Sequence, residues 1–234
     1  MAHGATSADH SHPDARTDPL GDAEATRIYR AALAGEATGA EATAFRRHML
    51  FEMARMSCDN GLVMSLHCGV RRDHHSPTAA RFGPDVGADI PIQIELTDAL
   101  RPVLERFGPT RASTWSFSRS TRRSGRASWL PWLAPLAGFY PSVYVGVPWW
   151  FLDAPDAIGR FRAAVTETAG FTRTSGFVDD TRAFCSIPAR HDMARRLDAS
   201  FLARLVTEHR LDETEAAAIA ADLVVRQPTR VFKL

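Results

Sequence analysis

Short apolar segments of strand length alternate with longer segments of helical periodicity, and this alternation restricts the possible folds most. The first apolar segment, residues 62–68, follows a predicted helix that ends at Asn60-Gly61. The second, residues 142–151, is rich in β-branched and aromatic residues. The third, residues 174–180, ends in two acidic residues. Strands joined by helices through short connections predict βαβ units, and therefore an α/β fold with a parallel sheet.

Helix signals fill the intervals between these segments. We expect helices over residues 23–33, from near Pro155 to Gly170, and over residues 188–209. A last helix is predicted to begin at Asp212, because Glu215 three residues later can complete an approximate capping box.

Charge and cysteine content exclude several classes of protein. The chain has 28 Lys and Arg against 27 Asp and Glu, a net charge of +1, which is too small for a general nucleic-acid binder. No apolar run approaches the length of a membrane span, and the polar N-terminal segment lacks the apolar core of a secretory signal. The three cysteines have no paired spacing. We therefore expect a cytoplasmic protein with no nucleic-acid or membrane partner.

Two stretches depart from the pattern and set the expected domain boundaries. Residues 1–22 are polar and are predicted to be a lead-in without regular structure, followed by one folded unit over residues 23–234. Within that unit, residues 108–135 are rich in Arg, Ser and Trp and show neither strand nor helix periodicity. They are predicted to form a loop-like insert.

Polar or aromatic residues follow each of the three predicted strands. These are His67 with Arg72, Trp149 with Trp150, and Asp180 with Arg182. Active sites of parallel α/β folds lie beyond the carboxyl ends of their strands, so these groups are predicted to share one site. A carboxylate beside an arginine can abstract a proton or hold a metal while the arginine stabilises a developing oxyanion.

Structural alternatives exist for each of these residues. His67 could be a hydrogen-bonded core histidine, the tryptophans could be core residues, and Asp180 with Arg182 could form a surface ion pair. His10 and His12 match an H-x-H metal motif, but no apolar strand precedes them, which favours a polar segment that merely contains histidines.

Several longer segments resemble one family. These are SLHCGVRRDHH, DVGADIP, PWWFLDAPDAI, VDDTRAFCSIPARHDMARR and the C-terminal VFKL. They are similar, in order and spacing, to the second half of uronate isomerase (glucuronate isomerase), a divergent member of the amidohydrolase superfamily. The resemblance runs from about Ser7 to Leu234, apart from the 108–135 stretch.

The resemblance implies a (β/α)8 TIM barrel, of which this chain represents only the C-terminal half, about strands 5–8. It implies an intramolecular oxidoreductase that interconverts D-glucuronate with D-fructuronate, and galacturonate with tagaturonate. It also implies a divalent metal, zinc, in the complete site. The family's first-strand H-x-H lies in the other half, so we expect the isolated chain to bind zinc weakly or not at all.

The resemblance also assigns roles to individual residues. Asp180 matches a metal ligand and candidate base, Arg182 an arginine near the reacting carbons, and His67 the histidine that ends the fifth strand. Arg72 matches an arginine of the following loop, Trp150 or Trp149 a tryptophan of the sugar pocket, and Asp9 an acidic residue after the fourth strand. The expected partners are a small uronate sugar and either an N-terminal half or a second copy. Two alternatives stay open: a metal-dependent amidohydrolase-type hydrolase and a non-catalytic fragment.

Overall fold

A four-stranded parallel sheet forms the centre of the molecule. The computed structural model describes residues 3–86, 88–109, 114–117, 130–147, 154–180 and 183–234. The strands of the sheet are β1 Ser7–His10, β2 Val63–Leu66, β5 Thr114–Phe117 and β6 Val143–Val145. They lie in the order β1-β2-β5-β6, and every neighbouring pair runs parallel. The predicted α/β class with a parallel sheet is therefore confirmed.

Helices connect the strands, and a small antiparallel pair lies outside the sheet. The helices are α1 Asp22–Leu33, α2 Gly39–Asp59, α3 Ser76–Phe82, α4 Thr97–Phe107, α5 Leu130–Phe139, α6 Pro155–Thr168, α7 Ile187–Thr207, α8 Glu213–Ala221 and α9 Gln227–Phe232. A π-helical segment, Asp222–Arg226, joins α8 to α9. The antiparallel pair is β3 Val70–Arg71 with β4 Ile90–Pro91. No helix in the described part of the chain is long and apolar enough to cross a membrane.

Side-chain caps fix the start of two helices. Thr38 accepts a hydrogen bond from the Glu41 amide, and the Glu41 carboxylate accepts one from the Thr38 amide. The same reciprocal arrangement joins Asp212 and Glu215, which confirms the capping box predicted for α8. Each box satisfies amides that have no partner inside their helix.

The apolar core lies between the sheet and the helices that cover it. Met64, Trp115 and Val145 of the sheet are buried, as are Leu100 of α4 and Phe161 of α6. Burying a large apolar side chain contributes about 1.5–3 kcal/mol, so this layer is the main source of stability.

The polar lead-in expected over residues 1–22 is partly wrong, because β1 lies within it. The strand is held by backbone pairing: the Val63 amide donates to Thr6 O at 2.9 Å and the His67 amide to His10 O at 2.9 Å. An edge strand with half-exposed side chains needs no apolar pattern. Ala15 is also fully buried.

The interpretation of residues 108–135 as a loop-like insert is also wrong in part, since it contains β5 and the start of α5. Thr114, Trp115 and Ser116 of β5 are all buried, and a strand covered on both faces shows no alternation. Pro135 lies inside α5 and Pro131 in its first turn. Because proline normally interrupts a helix, these prolines argue against a helix when only the sequence is considered.

The predicted strand over residues 174–180 is wrong beyond its first residue. The observed pairing in this segment is one parallel bridge between Val145 and Thr174, supported by a 3.1 Å hydrogen bond from the Ser175 amide to Val145 O. Gly176 then adopts φ +81°, and a Cβ there would lie 2.4 Å from Pro228 Cγ. The chain leaves the sheet at this glycine and passes close to α9.

Candidate active site at the carboxyl edge

Asp9 and His67 form an acid–imidazole pair at the carboxyl edge of the sheet. His67 Nε2 lies 2.8 Å from Asp9 Oδ2. The imidazole is largely buried, with 13% of its side chain exposed, whereas the Asp9 side chain is 59% exposed. The pair is therefore anchored by the histidine and open to solvent on the carboxylate side. Such a pair can accept a proton from a bound molecule and return it.

Strand register explains why two residues 58 positions apart meet. Asp9 of β1 pairs with Ser65 of β2, and His67 follows the end of β2 directly. Neighbouring parallel strands end at the same edge, so their terminal side chains converge. Gly69 then turns the chain with φ +91°, where a Cβ would lie 3.2 Å from Ile92 O. The prediction that β2 brings His67 to the carboxyl edge is confirmed.

Arg72 lies beyond this turn and is held by two carboxylates. Its Nη1 donates to Asp85 Oδ1 at 2.7 Å and to Asp89 Oδ2 at 3.0 Å. Its Nη2 lies 3.5 Å from Ser11 Oγ, just past the end of β1. Asp89 is 4% exposed and Asp85 is 50% exposed. Arg72 thus has one buried and one solvent-accessible counter-ion beside the Asp9–His67 pair.

The loop that carries these acids closes on itself through Asp73. The Asp85 amide donates to Asp73 Oδ1 at 3.0 Å, and the Asp73 amide to Asp89 Oδ1 at 3.4 Å. The residue types alone did not identify Asp85 and Asp89 as partners of Arg72. Only the DVGADIP segment, which contains both, marked this region.

His10 and His12 flank the pair on the β1 side. Burial lowers the pKa of His10, and the nearby His67 lowers it further, against the opposing effect of Asp9. Burial also lowers the pKa of His12, with contributions from His10 and Arg46. Within the described residues, His10 Nε2 is buried without a hydrogen-bond partner. His10 is the last residue of β1, a strand of polar sequence, and His12 follows it, so the histidines lie at a strand end although no apolar strand precedes them.

Asp180 lies at the far side of the sheet from Asp9. It follows the Thr174 bridge, with β2, β5 and β6 between that bridge and β1. Asp180 has φ +42° and is exposed. Its neighbour Asp179 is mostly buried, with Oδ2 3.5 Å from Nε2 of His191 on α7. Asp179 is mostly buried beside His191 and Asp180 is exposed, and the left-handed backbone at Asp180 accompanies this change of environment.

Three predicted site residues, Arg182, Trp149 and Trp150, lie outside the described residues. The structure therefore brings Asp9 and His67 into contact, joins Arg72 to the end of β1 through Ser11, and places Asp180 at the other side of the sheet.

A zinc ion needs about three protein ligands even in an open catalytic site. Among the described residues, no group of three or more His, Cys, Asp or Glu is arranged to hold a metal. The described side chains therefore do not fit a complete zinc site. Asp180 supplies at most one carboxylate.

Comparison with known proteins identifies the family. The model of the glucuronate isomerase family matches residues 1–232. The chain belongs to the glucuronate isomerase family.

Relatives and solved structures agree with this assignment. The chain is 50% identical to the uronate isomerase of Cutibacterium acnes over 99% of its own length and 48% of the relative's. It is 51% identical to the enzyme of Phenylobacterium zucineum, again covering 48% of that protein. The glucuronate isomerase structure from Caulobacter crescentus superposes with a TM-score of 0.92 at 47% identity, covering 99% of this chain and 48% of that one.

The uronate isomerase structure from Thermotoga maritima shares the fold, with a TM-score of 0.91 at 24% identity over 99% of this chain and 50% of its own. This chain therefore spans about half the length of the curated relatives that it matches. The fold is that of the C-terminal half of an amidohydrolase-like TIM barrel, as expected.

Proposed function

We propose that this chain carries the C-terminal part of a uronate isomerase site, which interconverts an aldo-uronate such as D-glucuronate with its keto isomer. The observation that carries the proposal is the 2.8 Å contact between Asp9 and His67 at the carboxyl edge of adjacent parallel strands. Family membership supports the same reaction class.

The reaction needs one proton relay and no redox cofactor. In the open-chain sugar, a base removes the proton from C2, and the electron pair moves to form a C1–C2 enediolate. The O2 hydroxyl then loses its proton as C2 becomes a carbonyl, O1 gains one, and C1 receives the proton that completes a hydroxymethyl group. The Asp9–His67 pair suits this relay, since the exposed carboxylate reaches the substrate and the imidazole shares the proton.

The other residues take complementary roles in this proposal. Arg72 neutralises the C6 carboxylate of the sugar, and Arg182 stabilises the enediolate. Trp150 or Trp149 packs on the apolar face of the sugar. Asp180 would contribute one ligand to a divalent metal, zinc, in the complete site. Cys58, Cys68 and Cys185 form no disulfide with described residues, which suits a reducing compartment, and we propose a cytoplasmic location.

The site requires a second half of the barrel in this proposal. Within the described residues, β1 pairs on one side only, with β2, and β6 extends on its outer side only through the Thr174 bridge. Open strand edges of this kind are templates for further pairing. An N-terminal half is the partner we propose, because the relatives are about twice as long.

The test uses D-glucuronate labelled with ¹³C at C1. The chain alone, and the chain mixed with the N-terminal half of the Cutibacterium acnes relative, are each followed by NMR for the new hydroxymethyl carbon. We expect turnover in the mixture, lowered about 10²–10⁴-fold by Asp9→Asn or His67→Gln. The exposed acid Asp59, which pairs with Arg55, provides a control, Asp59→Asn, that should not change the rate. No turnover in either sample, or full turnover in both site variants, contradicts the proposal.

A further inference from the structure

A cavity on the amino edge of the sheet is distinct from the site at the carboxyl edge. It has a volume of about 410 Å³, and side chains at the start of β5, in β6, in the 3-10 turn Phe171–Arg173 and at the end of α9 line it. The polar members are Thr114, Tyr144, Thr172, Arg173, Arg230 and Lys233. Thr114 is the first residue of β5, which places this cavity at the opposite end of the strands from His67.

The charge of the cavity is one-sided. Three of its lining side chains are cationic, and none of its described lining residues is acidic, although the chain as a whole is almost neutral. A concave surface lined by one sign of charge concentrates the field and attracts the opposite ion. This asymmetry separates the cavity from the carboxyl edge, where Arg72 already has two carboxylate partners.

None of the three cations, Arg173, Arg230 and Lys233, forms an ion pair with an acidic side chain among the described residues. Arg173 Nη1 donates to Pro141 O at 3.0 Å, and its guanidinium lies 5.7 Å from the Tyr144 ring centroid. Lys233 Nζ donates to Gly61 O at 2.6 Å. Arg230 forms no ion pair with any described residue. Other arginines of the described chain, such as Arg55 and Arg101, form ion pairs with Asp or Glu.

We propose that this cavity, which we call the amino-edge pocket, binds a small oxyanion with two or more negative charges. Its volume falls within the usual range for small-molecule sites and is too small for a macromolecular strand. Two guanidinium groups and an ammonium group match phosphate or carboxylate oxygens, and the threonine and tyrosine hydroxyls add neutral donors. The shared chemistry covers a phosphorylated metabolite and a polycarboxylate.

A purely structural role for these cations makes a different prediction. Arg230 and Lys233 lie at the carbonyl end of α9, where basic residues stabilise a helix by interacting with its dipole. That role would make Arg230→Gln lower the melting temperature without any effect on anion binding. The two roles are therefore separable by measuring both quantities on the same variant.

The experiment titrates the full chain with pyrophosphate, and separately with citrate, by isothermal calorimetry. We expect saturable one-to-one binding of at least one of them, weakened about tenfold by Arg230→Gln and largely restored by Arg230→Lys. Arg195→Gln removes an equal charge from the exposed face of α7 and should leave the Kd unchanged. Tighter pyrophosphate binding assigns the pocket to phosphate groups, and tighter citrate binding assigns it to polycarboxylates.

Three results overturn the proposal. They are an absence of saturable binding of either anion, an equal loss of affinity in Arg195→Gln, and binding of a single-stranded oligonucleotide without binding of the small anions. A lower melting temperature of Arg230→Gln with unchanged affinity also contradicts the proposal, because it assigns Arg230 to the helix end alone.

Discussion

Arg162 and Arg72 have similar partners in very different surroundings. Arg162 of α6 donates from Nε to Asp198 Oδ1 at 2.8 Å and from Nη2 to Asp198 Oδ2 at 2.9 Å, and its side chain is only 3% exposed. Arg72 binds Asp85 and Asp89 through a single nitrogen, and its side chain is 38% exposed. The first arginine joins α6 to α7, and the second lies beside the candidate active site.

The comparison shows that burial decides whether an arginine–carboxylate pair is accessible to a ligand. The Arg162–Asp198 pair is bidentate, Arg162 Nη1 makes a further 3.4 Å contact with Thr174 Oγ1, and burial of both side chains keeps the pair out of reach of a ligand. Arg72 has an exposed counter-ion, Asp85, and solvent-exposed ion pairs are weak, so the proposed role requires only that the substrate carboxylate replace Asp85. The buried carboxylate of Asp89 remains paired with Arg72 and holds it in position.

The largest predicted effect is on stability, from Asp198→Ala. Removing the carboxylate leaves the Arg162 charge buried without its partner, which costs about 3–5 kcal/mol in the free energy of unfolding. Urea unfolding monitored by circular dichroism measures this loss.

The same helix provides a matched control. Asp192 of α7 pairs with Arg196, and both side chains are largely exposed. Asp192→Ala should therefore reduce the free energy of unfolding far less than Asp198→Ala does. Equal losses in the two variants would show that burial does not distinguish these pairs.

The second prediction concerns substrate affinity and uses the mixture of the chain with the N-terminal half described above. Arg72→Met should raise KM for D-glucuronate about tenfold or more and change kcat little, because the C6 carboxylate has the same charge in the ground and transition states. Asp89→Asn should raise KM less, since it removes only the positioning of Arg72. A fall in kcat without a rise in KM would assign Arg72 to the reacting carbons.

The elements that the sequence predicted correctly are those with strong local signals. The run at residues 62–68 became β2 because it is apolar and follows a helix that ends at Asn60-Gly61. The capping box at Asp212 is likewise local. β1 was missed because its stability comes from backbone bonds to β2, far away in the chain, and its side chains stay half-exposed.

The candidate site shows the same division. The prediction that His67 lies at a strand end followed from the pattern of apolar residues, and its contact with Asp9 needed the register of β1. The partners of Arg72 were not predictable, because Asp85 and Asp89 reach it through a loop closed by Asp73. The spacing of residues in the sequence does not reveal that hydrogen bonds of Asp73 close this loop.

A smaller effect than that of Asp198→Ala is predicted for Asp14, whose side-chain exposure lies between those of Asp198 and Asp192. Its Oδ2 accepts from Arg46 at 2.9 Å and from Arg47 at 3.3 Å, and its side chain is 29% exposed. Partial burial raises the pKa of Asp14, but the bond from the Arg16 amide and the two guanidinium groups outweigh it, so the pKa is lowered. We expect Asp14→Asn to reduce the free energy of unfolding by about 1 kcal/mol at pH 7, between the effects of Asp192→Ala and Asp198→Ala.

The pH dependence of that difference provides the decisive measurement. A carboxyl group whose pKa is lower in the folded than in the unfolded state stabilises the fold above the unfolded value, here 3.8, and loses this effect as pH falls through the folded value. The charged groups that face Asp14 are Arg16, Arg46, Arg47 and His12. The stability difference between the native chain and Asp14→Asn should therefore shrink as the pH falls below about 4. A stability difference that persists unchanged at pH 2.5 would mean that Asp14 acts through hydrogen bonds of its neutral form. The burial of its ion pairs would then not account for the size of the stability difference.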